Sequence, residues 1–131
     1  MFTATAAFSG FSVDDLDKAK QFYTESLGLS LHDDKMGLTF DLPGGGAVFI
    51  YDKPDHQPAT FTVLNFVVEN IDTAVDELVK SGVVFEHYDN LPATPDEKGI
   101  LRGLAAQQGP DIAWFKDPAG NILSVLQNTA A

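Results

Sequence analysis

The chain has 131 residues, and its hydrophobic share of 44% against 21% charged residues is that of a globular protein able to bury one core, which excludes an intrinsically disordered chain. A net charge of -11 opposes binding to phosphate backbones or anionic lipid surfaces, so nucleic acid and membrane are excluded as expected partners. The absence of cysteine removes disulfides, thiolate zinc sites and cysteine nucleophiles, and is consistent with a reducing, cytoplasmic setting.

Along the chain, MFTATAAFSGFSVDD has neither a basic start nor a long apolar run, so neither secretion nor membrane insertion is indicated. Residues 4–13 read as a strand with one buried face, on which Phe11 and Val13 alternate with smaller or polar neighbours. A helix follows: Asp14 or Asp15 can cap it, Leu16, Ala19, Phe22, Tyr23 and Leu27 recur at helical spacing, and Gly28 stands where a left-handed stop is expected. Short strands are predicted near 29–33, 37–42 and 47–52, with Pro43-Gly44-Gly45-Gly46 as a hairpin turn between the last two. Residues 53–59, with two prolines, read as a linker.

The same order then restarts. Residues 61–68 form a strand, IDTAVDELVKSG an amphipathic helix ending at Gly82, and VVFEHY the start of another strand. Residues 89–103 are an irregular stretch rich in Pro and Gly, the kind of long loop that often serves as a lid or binding element. IAWFKD and NILSVLQ close the chain as two strands joined by Pro118-Ala119-Gly120, with TAA as a frayed tail.

FSVDDLDKA from Phe11 matches FVVENIDTA from Phe66 at an offset of 66 minus 11, or 55. With three strands after each helix, the predicted fold is α+β. A single domain, 1–131, carries two βαβββ modules, about 4–53 and 60–128, which form a curved, incompletely closed β-barrel around a cavity with the helices outside.

FSVDDLDKAKQFYTESLGL and WFKDPAGNILSVLQ, together with this repeat, resemble the vicinal oxygen chelate superfamily, the group containing glyoxalase I, bleomycin resistance proteins and extradiol dioxygenases. The resemblance covers nearly the whole chain. It implies paired modules lining a cleft, assembly as a homodimer, and, in the metal-dependent members, His and Glu ligands on the first and last strand of each module. Carried over by distance from the strand-helix and DPAGN landmarks, those places are Phe8, Ile50, Val63 and Ser124, and 63 minus 8 is again 55. Phe, Ile and Val offer no lone pair and a neutral Ser is a poor ligand, so no metal and no cofactor are expected.

By strand parity, Phe8, Ser12, Ile50, Phe61, Val63, Asn65, Ile122 and Ser124 are expected on the inner face, with Phe40 and Trp114 as additions. The lone Trp114 either stacks on a planar or cationic ligand or packs into the core. Arg102, beside the long loop, is either a partner for a ligand carboxylate or an exposed surface arginine. Among the histidines, His32 reads as part of a solvated turn, His56 as exposed in the linker, and His87 as the best placed for ligand contact. Asp117, Gly120 and Asn121 are assigned to turn formation. The predicted function is metal-independent binding of a small organic molecule, cationic or aromatic, in the manner of antibiotic sequestration. The alternatives are a lyase, isomerase or dioxygenase-type enzyme with a non-standard or absent metal site, and a structural module with a vestigial cavity.

Overall fold

Asp15, two residues past the first strand, starts the first helix. Its backbone is extended (φ -147°, ψ 105°), and its Oδ1 accepts a hydrogen bond from the Lys18 N–H at 3.1 Å, satisfying one of the free donors of a helix N-terminus. The computed structural model, which describes residues 1–130, continues this helix, α1 (Leu16–Gln21), as one π-helical turn over Phe22–Ser26. There the Leu27 N–H reaches back five residues to the Phe22 carbonyl, and the Thr24 hydroxyl bonds the Lys20 carbonyl at 2.6 Å, a back-bond that loosens the regular ladder. Gly28 (φ +70°) ends the turn as predicted.

The strands of the first module are β1 (Ser9–Val13), β2 (Ser30–Asp33), β3 (Leu38–Asp41) and β4 (Ala47–Asp52). Their sheet order is β1-β4-β3-β2, with β1 parallel to β4 and the other pairs antiparallel. One face packs under the helix: Val13, Leu38, Phe40, Val48 and Ile50 are buried together with Ala19 and Tyr23, and the Tyr23 ring lies 6.2 Å from Phe11 and 5.7 Å from Phe40.

In the second module, β5 (Thr62–Val67) precedes α2 (Ile71–Lys80), which is followed by β6 (Leu101–Arg102), β7 (Asp111–Lys116) and β8 (Ile122–Gln127). The order β5-β8-β7-β6 repeats that of the first sheet. Asn70, 55 residues after Asp15, caps α2 by accepting from the Thr73 N–H, and Gln127 Oε1 accepts from the Ile71 N–H at 3.0 Å. Ile71, Val75, Phe85, Ala113, Phe115, Leu123 and Val125 form the buried side of this sheet.

The strand expected at VVFEHY is reduced to a single bridge, Phe85 to Phe115, with the Glu86 N–H on the Trp114 carbonyl at 2.8 Å. The chain leaves the sheet there and returns as β6, pairing Leu101 with Ile112 and Arg102 with Asp111. The edge strand is therefore split by an inserted loop, as Pro92 and Pro95 in the excursion favour. Its ends close together, since a Cβ on Gly99 would stand 2.9 Å from the Glu86 carbonyl oxygen.

The fold is α+β, two βαβββ modules, and among the described residues no ladder joins the two sheets into a closed barrel. The chain divides into one compact unit over Met1–Pro58 and a second from Ala59 onward. Of the expected frayed tail, Thr129 accepts from the Gln127 amide and Ala131 lies outside the described residues. No helix among the described residues is long and apolar enough to cross a membrane.

Candidate functional site

Each sheet has one face covered by its helix and one free of it, and the free faces hold the candidate chemistry. On the second sheet, Asn65, Ser124 and Trp114 are ladder neighbours across β5, β8 and β7, so their side chains share a face. Buried Leu123 and Val125 alternate with Ser124 onto the other face. The Ser124 hydroxyl donates to Asn65 Oδ1 at 2.5 Å. Beyond Trp114 stands Tyr88, delivered by the first residues of the inserted loop, its ring 5.6 Å from the Trp114 ring and tilted by 68°.

The Tyr88 hydroxyl is buried and has no hydrogen-bond partner among the described residues. A buried polar group left in that state costs about 1–3 kcal/mol. Burial pushes its pKa up, the Glu86 carboxylate adds to the rise, and Lys116 partly opposes it. Lys116 and Glu86 pair with each other at 3.3 Å.

On the first sheet, the free face carries Phe8, Phe49 and Tyr51. Phe8 and Phe49 meet edge to face at 6.4 Å, and Phe49 stacks on Tyr51 at 5.7 Å. Two glycines make room: Gly10 is the ladder partner of Phe49, and a Cβ on Gly37 would press within 3.0 Å of the Phe49 ring. Ser12 lies on the same face, its Oγ 2.6 Å from His56 Nδ1.

Several expectations are corrected by this register. Phe40 and Ile50 stand on the helix-covered face, both fully buried, Phe40 against Tyr23. The ladder shows why for Ile50: Phe11 pairs with Ile50 and Phe66 with Val125, an offset of 125 minus 50, or 75, so the counterpart of Ser124 is Phe49. A bulge between Thr62 and Leu64 shifts the alternation, which sets Thr62, rather than Val63, opposite Ile122 and leaves Val63 inside the irregularity. Phe61 and Phe8 are 67% and 71% exposed. His87 stands exposed at the neck of the loop beside Gly99, while its neighbours Glu86 and Tyr88 reach Lys116 and Trp114. His56 is half-buried on Ser12 instead of exposed.

Arg102 is already taken. Its guanidinium makes two hydrogen bonds to Asp72 at 2.8 and 3.1 Å, one to Asp96 at 3.0 Å, and lies 3.6 Å from Asp111. The hydrogen bond from Arg102 holds the Asp72 carboxyl below the usual carboxylate range, and the same contact raises Arg102. Lys98 adds bridges to Asp72 and Asp76. Asp96 also accepts from the Lys98 and Ile100 N–H groups, so this network ties the loop to the first turn of α2 and leaves no free fork for a ligand carboxylate.

The donor chemistry does not fit the divalent ion implied by the family resemblance. Phe8 and Val63 are hydrocarbon, Ser124 is a neutral hydroxyl hydrogen-bonded to Asn65, and replacing Ile50 by its register-correct neighbour Phe49 adds no donor. Among the described residues no group of three or more His, Asp or Glu is arranged to hold a metal.

Tyr88, Phe49, Tyr51 and His56 are the residues of these faces that sequence reasoning missed. The second offset, 75 between the closing strands, would have located Phe49; nothing in FEHYD distinguishes Tyr88 from His87.

Known structures share the architecture. An antibiotic binding protein, TnmS3 from Streptomyces sp. CB03234, is 24% identical over 98% of this chain and 100% of its own, with a TM-score of 0.65. The fosfomycin resistance protein FosX from Listeria monocytogenes is 17% identical over 98% and 96%, with a TM-score of 0.67. A glyoxalase family protein from Bacillus anthracis is 20% identical over 98% and 100%, with a TM-score of 0.68. No curated protein matches the sequence significantly. The sequence model of one family matches residues 7–125, nearly the full length, and the chain therefore belongs to the Glyoxalase/Bleomycin resistance protein/Dioxygenase superfamily.

Proposed function

We propose that the protein binds a small, partly aromatic organic molecule on the Trp114–Tyr88 face without the help of a divalent cation. The observation that carries this reading is the chemistry of that face: two aromatic rings beside the neutral Asn65–Ser124 pair, with no strong metal donor at Val63 or Ser124, where the resemblance to metal-dependent relatives implies ligands. Rings of this kind offer large contact area at low entropic cost. The net charge of -11 favours a cationic molecule over an anionic one. Structural relatives described as an antibiotic binding protein and a fosfomycin resistance protein support antibiotic sequestration as the biological role. Homodimeric assembly in the cytoplasm completes the proposal.

The test is a thermal-shift series on chelator-dialysed protein against cationic planar antibiotics and aromatic acids. A ligand selective for the folded state at 100 times its Kd adds about 2.7 kcal/mol and raises the midpoint saturably. The expected result is such a rise with a cationic aromatic, unchanged by added divalent metal. A stoichiometric ion required for the shift overturns metal independence, and no shift across the panel overturns binding.

A further inference from the structure

We propose that the Tyr88 hydroxyl is the group that selects the ligand, and that it does so by donating a hydrogen bond to a neutral carbonyl oxygen on a planar aromatic molecule lying against Trp114. This rests on the binding reading above and narrows it to a chemical class. The hydroxyl is buried yet has no partner among the described residues, while its ring is held in place by the Trp114 edge contact at 5.6 Å. It is thus a positioned polar group whose complement the chain does not supply.

The direction of the bond follows from its surroundings. Burial and the nearby Glu86 charge both disfavour the phenolate, so the group keeps its proton and has a hydrogen bond to donate. An anionic acceptor is disfavoured for the same reason: Lys116, the cation close by, is committed to Glu86 at 3.3 Å. The Ser124 hydroxyl on the same face has its hydrogen committed to Asn65. What fits is a flat molecule carrying an uncharged acceptor at its rim, a ketone, lactone or amide carbonyl.

The experiment uses two probes that differ by a carbonyl in place of a methylene, 2-(aminomethyl)fluorenone and 2-(aminomethyl)fluorene, titrated by calorimetry into the wild type, Tyr88→Phe and Trp114→Ala. The wild type is expected to prefer the ketone by about tenfold, the worth of one added hydrogen bond. Tyr88→Phe is expected to bind both probes equally, and its ligand-free thermal midpoint to equal or exceed that of the wild type, because the substitution removes a buried group that had no partner. A Tyr88→Phe protein that keeps the ketone preference overturns the proposal. So does a fall of several degrees in its ligand-free midpoint, which would show the hydroxyl already bonded in the free protein, to a water or otherwise. If the wild type binds both probes equally and Trp114→Ala loses both, the binding reading stands and the donor assignment falls. If the wild type binds neither, both fall.

Discussion

In the first module the outer strand β2 runs beside β3 as one strand with a bulge between Leu31 and Asp33, whereas in the second the same edge of β7 is met by two fragments, Phe85 and then Leu101–Arg102, with the long loop between them. Inward of that edge the modules share most of their construction, the bulge in β5 and the π-helical turn after α1 being the exceptions. The caps Asp15 and Asn70 are 55 residues apart, and the closing strands pair with the opening ones in equivalent registers. Even the hairpins agree. Leu42 N–H to Gly46 and Gly45 N–H to Leu42 in the first recur as Asp117 N–H to Asn121 and Gly120 N–H to Asp117 in the second. The difference teaches that a helix and its three inner strands define the module, while the edge, with half its backbone groups unpaired by a ladder, accepts an insertion at little cost. That insertion is what brings Tyr88 to Trp114.

The strongest test of the shared interior is to remove one ring from each. Phe40 on β3 and Phe115 on β7 are both fully buried, the first against Tyr23 and the second 5.4 Å from Phe85. Phe40→Ala and Phe115→Ala are each expected to cost about 3–5 kcal/mol in urea unfolding. A loss at one site several-fold smaller than at the other would break the equivalence of the two cores.

The hairpins should separate next. Asp117 is buried and its carboxylate accepts from the Ala119 N–H, the Asn121 N–H and the Asn121 side-chain amide at 2.8–3.0 Å. The first hairpin has no such brace and depends on Gly44, Gly45 and Gly46, all at positive φ. Asp117→Ala is expected to cost about 2–3 kcal/mol, since buried donors lose a charged acceptor, against less than about 1 kcal/mol for Leu42→Ala at the matching position. Equal losses by the same unfolding measurement would show that the carboxylate adds nothing to the turn.

Which parts of this were readable beforehand follows from the range of each interaction. The caps, the Gly28 stop and both hairpins are set by residues a few positions apart, and periodicity located them. The repeat exposed the module order because it samples the same local signals twice. Parity failed at Ile50 and around Val63, where a bulge and an unrecognised second offset moved the register, and register belongs to the partner strand as much as to the strand itself. His56 and Arg102 failed for a related reason. The first meets Ser12 across 44 residues and the second meets Asp72 across 30, contacts that local composition does not encode. The sequence offers Arg102 as a ligand partner only because it stands beside a long loop, whereas in the fold Asp72 and Asp96 pin it.

That pinning gives the smallest and most local of the expected effects. Arg102→Gln leaves Asp72, Asp96 and Asp111 facing one another with Lys98 as the remaining cation of the network. Because the Arg102 side chain is 38% exposed and the pairs are screened by water and salt, the global cost is expected to be only about 1 kcal/mol. The sharper readout is hydrogen exchange: amides of residues 88–100 should exchange faster in the variant, while those of β3 and β4 in the first module stay protected. The pH dependence carries a definite sign. Asp72 is depressed below its ordinary value of 3.8 by the fold, so its contribution is complete above that value and is lost as the pH falls through the depressed one. The wild type should therefore lose its advantage over Arg102→Gln as the pH drops below about 4, and 1 M NaCl should narrow the same gap at neutral pH by screening it to within about 3 Å. If loop exchange is unchanged by the substitution, the ion pairs do not hold the insertion, and the distance between Tyr88 and Trp114 is set by the Glu86–Trp114 backbone bond and the ring contact alone.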